Sequence, residues 1–258
     1  MQSYNDFLQL VERKQEALDL IELIKKMPTD YKLETTSWDH SSDMPKKEVN
    51  TIRLETGTDF IRALNYGDSE ATIGRGISYE GGGYFSTVYS GSSSKVFKER
   101  QYVIKHSKPG RSGEQDRWQD FAALAQKNES NPLFPKVLYF REFEHGEMLA
   151  VIEYLTIDAD RSRSLGVDKG RFRVVGEFAN IMNRKDVDRP NRKHAERAVS
   201  NYAKELGIDP KHLADFLVKV NTLNAELDIH SFNVGFRGDQ MVIFDPVSWN
   251  ADYGAEGL

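Results

Sequence analysis

The chain has 258 residues, 39% hydrophobic and 29% charged, with a net charge of −5, which is the composition of a globular protein able to bury one sizeable core or two modest lobes. No apolar run approaches the roughly 20 residues that span a bilayer, and Glu12, Arg13 and Lys14 interrupt the stretch where a signal peptide needs an uncharged core, so the expectation is a cytoplasmic protein with no membrane partner. The absence of cysteine excludes disulfides, thiolate metal sites and cysteine nucleophiles.

Over residues 5–27 the apolar positions Phe7, Leu10, Val11, Leu18, Ile21 and Ile24 recur at helical spacing, and Pro28 stops the pattern. The polar face of this helix mixes acids and bases, which favours packing on the chain's own core over a membrane surface. Residues 35–51, rich in Ser, Thr, Asp and Lys around Pro45, read as a connector. From about Ile77 short β-branched or aromatic stretches at 84–89, 101–105 and 148–154 predict strands of one antiparallel sheet. Between the last two, residues 115–126 place Trp118, Phe121, Ala122 and Ala125 on one face of a helix, giving a sheet that carries one helix.

After Leu155 the pattern is mainly helical, with helices predicted at 173–182, 191–206 and 210–227. The last has Asp209 as N-cap, Pro210 at its first position and a stripe of Leu213, Phe216, Leu217, Val220, Leu223 and Leu227. Two short strands follow, 234–236 and 241–244, joined by Arg237-Gly238-Asp239-Gln240, a turn and not an adhesion ligand. The stretch from Arg161 to Arg197 holds eleven Lys or Arg against five Asp or Glu. It is read as a solvated surface, with docking of acidic or nucleic-acid-associated targets as the alternative.

Three groups of residues carry chemistry. Glu80-Gly81-Gly82-Gly83-Tyr84-Phe85-Ser86-Thr87-Val88 puts glycines at the mouth of a hairpin, where a backbone without Cβ atoms folds closely over phosphates. Lys105 follows at the end of a strand that would lie beside this hairpin and aim an ammonium at them. An acid should pair with it; Glu114 is the first candidate and Asp116 the second. The third group is Asp228-Ile229-His230-Ser231-Phe232-Asn233, with Asp245 twelve residues beyond Asn233. A carboxylate can take the proton of an attacking hydroxyl, and an amide with a second carboxylate can hold Mg²⁺ through hard oxygens. His230 is either a loop-bracing hydrogen-bond partner or a phosphate contact. No histidine pair has the helical spacing of a zinc hydrolase.

From Glu80 to Asp245 the sequence resembles the protein-kinase-like superfamily. Gly83-Tyr84-Phe85-Ser86, Val103-Ile104-Lys105, Asp228-Ile229-His230-Ser231 with Asn233, and Asp245-Pro246-Val247-Ser248 are similar to the early serine/threonine protein kinases of T-seven-like bacteriophages. The resemblance implies a bilobal α+β fold: residues 1–79 as an N-terminal extension and linker, 80–155 as a small antiparallel-sheet lobe with one main helix, and 156–258 as a reduced, mainly helical lobe. It implies ATP and Mg²⁺ as cofactors and phosphorylation of serine or threonine on host proteins during infection, in the host cytoplasm. By position, Lys105 would contact the α- and β-phosphates, Asp228 would be the catalytic base, Asn233 and Asp245 the metal ligands, and Glu153 to Leu155 the hinge that binds adenine through its backbone.

The departures from ordinary protein kinases are Ser86 for the third glycine, Glu226 for the histidine before the catalytic Asp, and Pro246-Val247 for the Phe-Gly after the metal Asp. With the chain ending at Leu258, the expectation is no long activation segment, no C-terminal host-shutoff extension, and an N-terminal region that braces the small lobe. Two other readings stand beside this one. A small-molecule phosphotransferase of the aminoglycoside or choline kinase sort shares a histidine two positions after the Asp, and a pseudokinase would act as a binding module.

Overall fold

The computed structural model describes residues 18, 21, 22, 24, 25, 30–37, 46–53, 55–66, 77–82, 86–91, 102–108, 117–143 and 146–248. Contacts divide the chain into two compact units, Met1–Gly113 with Leu138–Tyr154, and Glu114–Val137 with Leu155–Leu258. The fold is α+β, with a small antiparallel sheet in the first unit and several helices in the second.

The first unit holds a hairpin of β1 (Asp30–Ser37) and β2 (Lys46–Arg53), then helix α1 (Gly57–Tyr66). Residues 35–37 and 46–51 are thus paired strand, with Leu33 opposite Asn50 and Thr35 opposite Glu48, where the composition predicted a connector. Thr and Val give these segments β propensity, but polar residues dominate residues 35–51 and leave no run of apolar residues to mark a strand. Thr56 and Asp59 close a capping box before α1: the Asp59 amide donates to Thr56 Oγ1 at 3.1 Å, and the Thr56 amide to Asp59 Oδ2 at 3.2 Å.

Next come β3 (Ile77–Gly82), β4 (Ser86–Gly91), β5 (Tyr102–Ser107), β6 (Val137–Glu142) and β7 (Met148–Glu153). They form one five-stranded sheet in the order β3-β4-β5-β7-β6, and the pairs β3–β4, β4–β5 and β5–β7 are antiparallel. The three predicted strands correspond to β4, β5 and β7. One face of the sheet, through Ile104, Leu149 and Val151, packs with Ile21 and Ile24 of the N-terminal helical residues and with Phe60 and Ile61 of α1. Arg141 adds a hydrogen bond from Nη1 to the Ile24 carbonyl at 3.0 Å. Ile21, Ile24, Phe60 and Ile61 are the described N-terminal side chains that pack against this sheet.

In the second unit lie α2 (Trp118–Gln126), α3 (Ala159–Ser164), α4 (Lys169–Asn183), α5 (Arg189–Glu205), α6 (Pro210–Asn221) and the hairpin of β8 (Val234–Arg237) and β9 (Gln240–Ile243). Helix α2 buries its predicted face here: Phe121 lies 5.8 Å from Phe134 and 6.3 Å from Phe216 between ring centroids. Among the described residues, α1 and the N-terminal helical residues cover the sheet, and α2 packs with α6. The side chains of Asp158, Asp168, Asp188 and Asp209 cap the starts of α3 to α6, each accepting a backbone amide of the first turn. Helix α6 ends at Asn221, short of the predicted 227, and Asn224 takes a left-handed conformation with φ 51°. Among the described residues, no helix is long and apolar enough to cross a membrane.

Candidate active site

Within the sheet, the glycine strand and Lys105 fall in one row. Gly81 is opposite Val88, Val88 opposite Lys105, and Lys105 opposite Ala150. Residues directly opposite across antiparallel strands project to one face, so Val88, Lys105 and Ala150 share a face by register. Lys105 is 3% exposed and Glu153, opposite Tyr102, is 8% exposed. A register shift between Tyr79 and Gly81 sets the glycine end of β3. Gly81 and Gly82 close β3, and Ser86 opens β4. Gly83, Tyr84, Phe85, Glu114 and Asp116 lie outside the described residues, so the pairing of an acid with Lys105 is a sequence expectation only.

The second unit gathers Asp228, His230, Asn233 and Asp245. The loop that carries Asp228 is pinned on both sides: the Asp228 amide donates to the Pro246 carbonyl at 2.7 Å, the Ser248 amide to the Glu226 carbonyl at 2.9 Å, and Leu227 bridges Val247. Ile229 beside it is fully buried, which turns its neighbours Asp228 and His230 outward, each partly exposed. Five residues on, Asn233 folds back, with Nδ2 donating to the Asp228 carbonyl at 2.6 Å and its own carbonyl accepting the amides of Phe244 at 3.1 Å and Asp245 at 3.4 Å.

The hairpin β8–β9 brings Asp245 to this place. Its register closes on Arg237 opposite Gln240, with Gly238 at φ 60° in the first central position of a two-residue turn. Gly235, buried in β8, faces Leu155 so closely that a Cβ there would lie 2.8 Å from the Leu155 Cβ. Trp118 of α2, fully buried, donates from Nε1 to the Phe244 carbonyl at 2.8 Å, fixing the residue before Asp245.

His230 Nδ1 accepts the Phe232 amide at 3.2 Å, which leaves the proton of the neutral ring on Nε2, 3.9 Å from Asp228 Oδ2. This hydrogen bond lies within the loop that carries Asp228. One residue that sequence reasoning passed over belongs here. Lys169, at the start of α4, puts Nζ 2.8 Å from Asp228 Oδ1 and 3.7 Å from Glu226 Oε1. It sat in the basic stretch read as solvated surface, and no spacing signal ties it to Asp228. Elsewhere in that stretch Arg161 pairs with Asp239, Arg163 with Asp160, Arg171 with Glu205 and Arg184 with Asp186.

No protein-family model matches the chain, and no curated protein matches it. Among solved structures, that of APH(2'')-IIia in complex with GDP and kanamycin is similar to it at 11% sequence identity and a TM-score of 0.30, covering 74% of this chain and 73% of that one. At that identity and score the reading of the site rests on its own residues.

On donor chemistry Asn233 and Asp245 suit a magnesium ion, since amide and carboxylate oxygens are the hard donors it takes. Because Asn233 Nδ2 is engaged by the Asp228 carbonyl, its Oδ1 is the side-chain atom that would serve. Among the described residues no three His, Cys, Asp or Glu gather where they could hold a metal ion.

Proposed function

We propose that the chain is a protein-kinase-like phosphotransferase that moves the γ-phosphoryl of ATP, with Mg²⁺, to serine or threonine hydroxyls of proteins, host proteins in a phage infection being the expected targets. The observation that carries this reading is the tie made by Asn233 between Asp228 on one side and Asp245 on the other. An Asp on a loop, an Asn or a second Asp would each pass for a cap or a turn alone. Fixed to one another through one residue, by its side-chain amide to the Asp228 carbonyl and its backbone carbonyl to the Asp245 amide, they would supply a proton acceptor beside two hard oxygen donors.

In this reading Asp228 orients the acceptor hydroxyl and takes its proton. Asn233 and Asp245 hold the magnesium ion, which when bound would neutralise charge on the transferring phosphoryl. Lys105, with Gly81 and Val88 in its row, would serve the phosphates together with Gly82, Gly83, Tyr84, Phe85 and Ser86, and the backbone of Glu153 to Leu155 the adenine.

Incubation with γ-labelled ATP and Mg²⁺, offered a mixed protein extract in parallel with a panel of amino alcohols and aminoglycosides, tests the reading. Label on protein serine or threonine, abolished in Asp228→Ala, supports it. Label on a small alcohol alone moves the activity to small-molecule phosphotransfer. No transfer to any acceptor, with an undiminished biological effect in Asp228→Ala, supports a binding module instead.

A further inference from the structure

The kinase reading gives no work to Lys169, yet the strongest described contact to the Asp228 carboxylate comes from it, at 2.8 Å. Its backbone is well held. Asp168 caps α4 by accepting the Arg171 amide at 2.8 Å, and Phe172, Val175, Gly176 and Ala179 bury the helix. The helix also docks on the loop it serves: a Cβ on Gly176 would lie 2.8 Å from Leu227 Cδ1, and Asn221 Nδ2 donates to the Gly176 carbonyl at 3.2 Å. Leu227 is the residue before Asp228, so the spacing between α4 and the carboxylate is set by packing rather than by the lysine alone.

A cation in the first turn of a helix faces the positive end of the helix dipole and is disfavoured there. Asp228 and Glu226 together offset this, and the hydrogen bond to Asp228 raises the Lys169 ammonium above the ordinary lysine range. Nζ lies 2.8 Å from Oδ1 of Asp228, and His230 Nε2 lies 3.9 Å from Oδ2.

We propose that Lys169 is a positioning residue for phosphoryl transfer: by holding Oδ1 it fixes the rotamer of Asp228 and assigns Oδ2 as the oxygen that accepts the acceptor's proton. This rests on the kinase reading above. In the step concerned, the acceptor oxygen forms its bond to phosphorus, the bond to the departing ADP oxygen breaks, and the hydroxyl proton passes to Asp228 Oδ2. Lys169 takes no proton and touches no reacting atom.

The test is steady-state phosphorylation by wild type, Lys169→Met, Lys169→Arg, Asp228→Ala and the Asp228→Ala/Lys169→Met double variant, each with its melting temperature. Lys169→Met is expected to lower the rate at saturating ATP about ten- to a hundredfold, as small misplacements of reacting groups do, with KM for ATP and the melting temperature near wild type. Lys169→Arg should recover most of that loss, and the double variant should be no slower than Asp228→Ala alone, because the lysine acts only through the carboxylate. Wild-type rates in Lys169→Met, or a double variant slowed by the product of the two single effects, overturn the proposal and leave the kinase reading standing. If Lys169→Met does not fold, Lys169→Gln replaces it under the same criteria. A wild-type protein that transfers phosphate to nothing overturns the kinase reading first and this proposal with it.

Discussion

The side-chain Nδ2 of Asn233 donates to the Asp228 carbonyl at 2.6 Å, and the Asn233 carbonyl accepts the Asp245 amide at 3.4 Å. A single residue is therefore both a candidate metal ligand and the brace of the loop that carries the candidate base. Asn233→Ala is expected to lower the phosphorylation rate by about 10² or more. It should also cost about 1 kcal/mol in urea unfolding for the lost hydrogen bond. Asn233→Asp keeps an oxygen donor but turns an acceptor toward the Asp228 carbonyl, so it should lose activity as well. An alanine variant within threefold of wild type would remove Asn233 from the site.

Trp118 Nε1 reaches the Phe244 carbonyl at 2.8 Å from a fully buried ring. In Trp118→Phe that part-buried carbonyl loses its donor, a loss of about 1–3 kcal/mol in unfolding free energy. Since the next residue is Asp245, the variant should also raise the magnesium concentration needed for half-maximal activity. A magnesium titration unchanged from wild type would show that Asp245 is held without it.

Gly235 and Gly238 lie three residues apart on one hairpin and should respond differently to alanine. At Gly235 the new Cβ would lie 2.8 Å from a Cβ of Leu155, a clash that no rotamer relieves. A destabilisation of about 1–3 kcal/mol and a loss of activity through displacement of β8 are expected for Gly235→Ala. At Gly238 there is open space, and only the φ of 60° opposes a side chain. Gly238→Ala should cost about 1–2 kcal/mol with activity retained. Urea unfolding and the transfer assay on both variants check the contrast.

The sequence made the hairpin legible because apolar strands flank a Gly-Asp turn, and it made α6 legible because Asp209-Pro210 opens a clear stripe. The end of α6 was not legible: Leu223 and Leu227 prolong the stripe, but the chain turns at Asn224 and Leu227 is buried from a loop. The hairpin β1–β2 was hidden by its polar residues, and β3 and β6 by the lack of clear alternation. Asp228, Asn233 and Asp245 could be found from spacing because the loop and hairpin between them are short. Lys169 could not, since its partner is reached through the docking of α4 on the loop, a relation that no local pattern carries.

His106, in β5 next to Lys105, is 1% exposed. Nε2 lies 3.2 Å from Glu147 Oε2, while Nδ1 is buried with no hydrogen-bond partner among the described residues. Burial lowers its pKa from the usual histidine value; Glu147 acts in the opposite direction without overcoming it, and Lys108 adds to the lowering. The unfolded chain then takes up a proton near pH 6.5, as a free imidazole does, whereas the folded chain does so only at lower pH. Between those two points the unfolded state binds more protons, so stability falls as pH falls from about 6.5 toward the folded value, by at most about 1.4 kcal/mol per pH unit for this one group. His106→Gln keeps a donor for Glu147 and removes the titration. Urea unfolding at pH 7.5, 6.5 and 5.5 should show a steeper acid loss in wild type than in the variant. Parallel pH dependences in the two proteins would mean that His106 takes up its proton without penalty in the fold.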